Sequence, residues 1–240
     1  MAAVKISGSF DDLRSPHIRF LEEASKRGEV SVQLWSDRLC KSIEGREPKF
    51  PEAERLYFVD AIRYVHLVDI VSELGDRDAI KLDISDPKLK QFPKSPAVAT
   101  SASDRKKVLV TGCYDWLHTG HVRFFEEVSE YGDVYAVVGH DANIELLKGK
   151  GHPHFSEDER RFVVGSLKYV KQALVSTGHG WMDAAPEIAR IRPDIYAVNE
   201  DGDKPEKREF CREHGIQYLV LSRRPKPGLA ARSSTSLRGF

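Results

Sequence analysis

Cysteine is scarce in this chain. Cys40, Cys113 and Cys211 are the only three in 240 residues, an odd number and widely spaced. No Cys-x-x-Cys pair and no Cys/His ligand spacing occurs, which argues against a disulfide scaffold and against structural zinc. No metal ligand set is expected. A surplus of either charge is also missing, with 37 Lys+Arg against 37 Asp+Glu. A net charge of zero gives no general pull toward nucleic acid or an anionic membrane, so any phosphate site must be a local cluster. No apolar run approaches the ~18–20 residues of a membrane span. The opening MAAVKISGSF lacks a basic region followed by an apolar stretch, so no signal peptide is expected. What is present is 40% hydrophobic and 31% charged residues, the balance of a soluble globular protein. Its length allows one large domain or two small ones. A cytoplasmic location is the expectation.

The chain contains an internal repeat. Residues 5–37 laid over 109–141, at a constant offset of 104, agree at 12 of 33 positions. After a one-residue shift, FPEAERLYFVDAIRYV (50–65) lies over FSEDERRFVVGSLKYV (155–170). Each copy opens with a short apolar strand, at 4–6 or 107–111. A turn and a helix at 16–27 or 120–131 follow. Next come a strand at 30–35 or 134–139, a loop with a helix at 52–64 or 157–169, and a strand at 65–71 or 170–176. Strands alternating with helices predict βαβ units and a parallel sheet. The second copy continues with a helix at 184–191, a strand at 195–198, a helix at 204–214 and a strand at 218–221. The first copy gives way instead to the charged, Pro-rich DPKLKQFPKSPAVATSASDRKK, a linker by composition. The expected organisation is a half-length copy at 1–75, a linker at 76–105 and a full-length copy at 106–240.

Two segments carry chemistry. The first is Gly112-Cys113-Tyr114-Asp115-Trp116-Leu117-His118-Thr119-Gly120-His121, where strand one of the second copy meets its helix. Gly120 lets a ligand approach the backbone. The helix start offers free N–H groups and a positive dipole end, which suit a phosphate. Two imidazoles add donors for charge developing on a phosphoryl group. The plainer reading is two surface histidines at a helix cap. The second segment, Arg232-Ser233-Ser234-Thr235-Ser236-Leu237-Arg238, places consecutive hydroxyls before a basic residue. It reads as a phosphate-binding helix start or as a Ser-rich tail.

Taken together, GxYDxxHxGH and a C-terminal SSTSLR resemble the nucleotidyltransferase superfamily. The closest likeness is to its cytidylyltransferases, which join CTP to a phosphorylated alcohol and release pyrophosphate. Lys148-Gly149-Lys150, Ser156-Glu157-Asp158-Glu159-Arg160 and Pro193-Asp194-Ile195-Tyr196 fall where that family carries similar segments. The resemblance covers 106–240 in full and 1–75 in part. It implies an α/β fold, a Rossmann-like parallel sheet flanked by helices, preceded by a partial repeat of the same βαβ unit.

The resemblance also implies roles. His118 and His121 contact the phosphates, Lys148 or Lys150 neutralises the far end of the triphosphate, and Arg160 meets the acceptor phosphate or pairs with Glu157. Gly112, Tyr114, Asp115, Gly120, Ser233, Ser234, Thr235 and Arg238 belong to the nucleotide site, with Asp115 holding the nucleotide or orienting the first loop. Trp181 lines the acceptor pocket or caps the core. Mg²⁺ accompanies the triphosphate and takes few ligands from the protein. The partners are then a nucleoside triphosphate, CTP first and ATP second, and a phosphorylated small molecule, with no nucleic acid and no membrane span. A non-catalytic nucleotide-binding protein of the same fold is the alternative from another class. Copy one has Arg14-Ser15-Pro16-His17 in place of His118-Thr119-Gly120-His121 and no SSTSLR. It is expected to be catalytically dead and to serve as an intramolecular pseudo-partner, or the whole chain to form a homodimer.

Overall fold

The apolar runs become parallel strands, and the most apolar of them sit in the middle of a sheet. In a computed structural model of the chain, residues 3–74, 78–99, 103–234 and 237 are described. They fall into two units, 1–92 with 166–168, and 93–165 with 169–240.

The first unit contains β1 (Ala3–Gly8), α1 (Ser15–Ser25), β2 (Glu29–Trp35), α2 (Asp37–Glu44), α3 (Glu52–Asp60), β3 (Val65–Val71) and the short β4 (Ile80–Lys81). Its strands pair in parallel in the order β3-β2-β1-β4. Ile6, Ile18, Leu21, Val32 and Leu34 are fully buried. Removing such side chains from water is the main stabilising term, about 1.5–3 kcal/mol each.

The second unit contains β5 (Lys107–Gly112), α4 (Thr119–Ser129), β6 (Asp133–Val138), α5 (Asp141–Lys148), α6 (Glu157–Gly165), β7 (Val170–Val175), α7 (Ala185–Ile191), β8 (Ile195–Asn199), α8 (Pro205–Glu213) and β9 (Gln217–Leu221). Its sheet is parallel throughout, in the order β7-β6-β5-β8-β9. The central strands are buried on both faces, as Val108–Val110 and Val134–Val138 show. That is why they read as unbroken apolar runs rather than alternating ones. Tyr135, Leu174, Ile188, Ile191 and Tyr196 pack into one core against the helices.

The strand order reverses between β5 and β8. In an open parallel sheet, a crevice forms at the carboxyl ends of the strands at that reversal, and ligands bind there. Gly112 ends β5 and Asn199 ends β8, so the GxYDxxHxGH segment leaves the sheet at the crevice.

Three local features differ from the sequence expectation. Each unit has an extra helix after its second strand. Ser36 caps α2 by accepting from Leu39 N at 3.2 Å, and His140 caps α5 by accepting from Asn143 N at 3.2 Å. A histidine cap is not a signal that sequence reading weighs. The segment expected to be a linker is also built into the structure. β4 pairs with β1, and Leu89 is buried in a 3₁₀ turn at Pro87–Lys90. Farther on, Arg161 donates to Pro93 O at 2.7 Å, and Val175 N donates to Ser95 Oγ at 3.0 Å. Proline and charge made the stretch look like a free tether, but its backbone is used to bind strands. The helices at 52–64 and 157–169 stop earlier than expected, at Asp60 and Gly165.

Both units carry the same buried arginine arrangement. In the first unit Arg55 donates to the carbonyls of Phe50, Ser9 and Trp35 and to Asp37 Oδ1, at 2.5–2.9 Å. In the second unit Arg160 donates to the carbonyls of Phe155, Cys113 and Gly139 and to Asp141 Oδ1, at 2.6–2.9 Å. The partners correspond one to one at the offsets of 104 and 105 read from the sequence.

Candidate active site

α4 starts at the crevice, and its start is built from the histidines themselves. His118 is the N-cap residue, and its Nδ1 accepts from Gly120 N at 3.1 Å. A neutral imidazole that accepts through Nδ1 carries its proton on Nε2. The cap bond therefore makes Nε2–H a donor. The rings of His118 and His121 lie 4.0 Å apart. Among the described residues, buried His118 Nε2 and His121 Nδ1 have no hydrogen-bond partner. Buried polar atoms are almost always paired, so two orphans side by side call for a partner from outside the described residues.

The glycines explain the approach. A Cβ at Gly120 would lie 2.9 Å from His118 Cε1, so only glycine lets that ring fold over the helix start. A Cβ at Gly112 would lie 2.7 Å from the Tyr114 ring. Tyr114, at φ 52°, tucks beneath the turn and meets His121 edge-on, with ring centroids 5.6 Å apart.

These residues line a cavity of about 320 Å³. Cations converge on it: Lys148 from the end of α5, Lys207 from the first turns of α8, and Arg223 from the loop after β9. Ser233 and Ser234 also reach it. Arg223 is held by an ion pair with Asp201 and donates to Arg232 O at 3.2 Å. An adjoining hollow of about 420 Å³ shares Gly120, Phe124, Asn199, Arg223 and Ser233 with this cavity and extends along Arg224 and Pro225.

Burial dominates the protonation of both histidines. Desolvation first, then His121 and the positive charges of Arg223 and Arg232, push His118 down to about 2. Desolvation, Arg223 and Lys148 push His121 down to about 4. Both imidazoles are neutral at pH 7 in the free protein and present donors without charge. Burial also holds the Lys207 ammonium below its usual range.

The structure brings together Gly112, Tyr114, Asp115, His118, Gly120, His121, Lys148, Ser233 and Ser234. Thr235 and Arg238 lie outside the described residues. Lys148 lines the cavity, whereas Lys150 is exposed and does not. Arg160, expected to meet a phosphate, is 1% exposed and spends its guanidinium on three carbonyls and Asp141. It ties loops together beneath the site. Asp115 likewise anchors a loop, accepting from His154 N at 2.9 Å and Phe155 N at 3.0 Å. Trp181 is 54% exposed and caps no core. Lys207 and Arg223 were not singled out in the sequence. Only the strand order, which sets β8 beside β5, brings them to the histidines.

A parallel α/β sheet with two imidazoles and converging cations at its reversal point fits a nucleotidyltransferase, and similarity to known proteins supplies that class. The family described as cytidylyltransferase-like matches residues 109–234, and the chain belongs to it. A FAD synthase of Aciduliprofundum boonei is 41% identical over 118 residues, which are 48% of this chain and 76% of that protein. A FAD synthase of Ferroglobus placidus is 36% identical over 134 residues, covering 55% and 85%. The bifunctional protein HldE of Campylobacter concisus is 30% identical over 115 residues, covering 48% of this chain and 24% of that protein. All three matches span only about half of this chain. No described helix is long and apolar enough to cross a membrane.

Proposed function

We propose that this chain transfers an adenylyl group from ATP to the phosphate of a phosphorylated small alcohol or sugar, releasing pyrophosphate. An acceptor phosphate oxygen attacks the α-phosphorus in line. A new P–O–P bond forms as the bond to the β-phosphate breaks, and pyrophosphate leaves with its electron pair. Chemistry of this kind needs positioning and charge stabilisation more than covalent work by the protein.

The observation that carries the reading is the pair of orphaned imidazole nitrogens at the start of an eleven-residue helix. Their donors and the helix N–H groups suit phosphate oxygens. Lys148, Lys207 and Arg223 line the same cavity and balance the charge of a triphosphate and of the departing pyrophosphate. Mg²⁺ enters with the nucleotide. Of the two carboxylates at the cavity, Asp201 is paired with Arg223, and Asp115 keeps only one acceptor direction beyond its bonds to backbone N–H groups. An ion arriving with the nucleotide would therefore rest chiefly on phosphate oxygens and neutralise their charge.

ATP is preferred because the relatives at 41% and 36% identity are named FAD synthase, and FAD contains an adenylyl group joined to a flavin phosphate. CTP, expected from the sequence, is the second reading and rests on the GxYDxxHxGH pattern and the family description. The first unit is read as a copy that kept the scaffold and lost the site. It retains the Arg55 arrangement, but Arg14 replaces the capping histidine and pairs with Asp12, and Pro16 replaces the glycine.

The test is an assay of pyrophosphate release with Mg²⁺ and either ATP or CTP, across FMN, glycerol phosphate, phosphocholine and a sugar phosphate. Acceptor-dependent release with ATP supports the reading. Release with CTP alone moves the donor to the second reading. Release with neither removes transfer to these acceptors.

A further inference from the structure

Asp115, His152 and His154 stand 37 and 39 positions apart in sequence, yet the fold brings one ligand atom of each within 4.8 Å of the others. Neither histidine belongs to the nucleotide site described above. We propose that this cluster is a binding site for a nitrogen-preferring divalent cation of the zinc, cobalt or nickel kind.

The chemistry of the donors sets the class of ion. Two imidazoles with one carboxylate suit zinc and its neighbours, whereas magnesium takes oxygen donors and keeps its waters. This ion is therefore distinct from the Mg²⁺ that arrives with a nucleotide. The buried Nδ1 of His152 has no hydrogen-bond partner among the described residues. The His154 ring stands edge-on to His152, with centroids 5.4 Å apart, and edge-on to Trp116 at 5.8 Å, so its orientation is restricted. Asp115 is buried, and its carboxylate accepts from two backbone N–H groups. Those two groups make three contacts with its oxygens, and a carboxylate has about four acceptor directions, so one remains for a cation. Three protein donors leave a further coordination position to water or to a substrate oxygen.

The first unit supplies an internal control. There Asp11 accepts from Lys49 N at 2.9 Å and Phe50 N at 3.1 Å, making the same loop anchor as Asp115. The positions of His152 and His154 are held by Glu47 and Lys49. The loop therefore folds without imidazoles, and folding alone does not account for the two histidines of the second unit.

The experiment is calorimetric titration of the untagged, chelator-treated full chain with Zn²⁺, and with Co²⁺ to read the visible absorption of its nitrogen-ligated complex. His152→Glu/His154→Lys restores the residues the first unit uses at this loop, and His154→Gln changes only an exposed ring. His118→Ala/His121→Ala controls for binding at the other imidazole pair. One Zn²⁺ per chain is expected, unaffected by excess Mg²⁺ and retained in the control. The double variant should lose affinity by more than about a hundredfold, and His154→Gln should weaken binding and alter the Co²⁺ spectrum. Absence of binding to the unaltered chain overturns the proposal. So does equal binding by the His152 and His154 variants, or loss only in the His118 and His121 control.

Discussion

The imidazole rings of His118 and His121 lie 4.0 Å apart at the first turn of α4, and each leaves one buried nitrogen without a partner among the described residues. Such a pair adds little to folding, because no described residue satisfies the two nitrogens. Truncating either ring to alanine should lower kcat for nucleotidyl transfer by about 10²–10³-fold while leaving the melting temperature close to that of the unaltered chain. Steady-state kinetics and thermal melts on the same preparations check this. A parallel loss of folding would mean that the rings serve packing.

The same burial makes the protein sensitive to acid. Unfolded imidazoles take up protons near pH 6.5, but the folded His121 resists protonation until about pH 4, and His118 resists it further. The unfolded state therefore binds more protons as the pH falls below about 6.5, and stability present above that value is lost on the way down. Melting temperatures measured from pH 7 to pH 4.5 should fall, and those of His121→Asn should fall less steeply. Identical slopes would contradict the buried neutral histidine.

Arg160 separates a structural role from a chemical one. Its guanidinium is 1% exposed and satisfies three carbonyls and Asp141. An unsatisfied buried carbonyl costs about 1–3 kcal/mol. Arg160→Met should therefore lower the free energy of unfolding by at least about 3 kcal/mol, measured by urea denaturation. A raised acceptor KM with unchanged stability would instead return Arg160 to the acceptor.

Gly120 is required by the ring beside it, not by its own backbone angle. A Cβ there would meet His118 Cε1 at 2.9 Å and Nδ1 at 3.0 Å. Gly120→Ala should turn the His118 ring and cut kcat/KM by about 10–100-fold, with little change in melting temperature. Unchanged kinetics would show that the ring position is not critical.

Much of this architecture is legible in the chain because the central strands are apolar on both faces and the helices between them are punctuated. The histidines were legible because Gly120 and the strand-to-helix junction frame them. Lys207 and Arg223 were not legible, because they reach the cavity through strand order, which spacing does not encode. Arg160, weighed as an acceptor contact or a partner of Glu157, spends its guanidinium on three carbonyls and Asp141, while Asp115 follows its loop-orienting alternative. A charged residue in a motif reads as a ligand contact until its hydrogen-bond partners are seen to be backbone. Asp115, His152 and His154 show the converse, since their nearness appears only after the loop closes.

The central claim is that the crevice between β5 and β8 holds a nucleoside triphosphate through His118 and His121. Thermal melting of the full chain with Mg²⁺ and each triphosphate in turn tests it most directly, on the unaltered protein and on His121→Ala. A ligand at a hundred times its Kd stabilises by about 2.7 kcal/mol, which raises the melting temperature by several degrees at this size. Such a rise is expected with ATP, or with CTP if that is the donor, and a clearly smaller one in the variant. No rise with any triphosphate, or an equal rise in the variant, would contradict the claim.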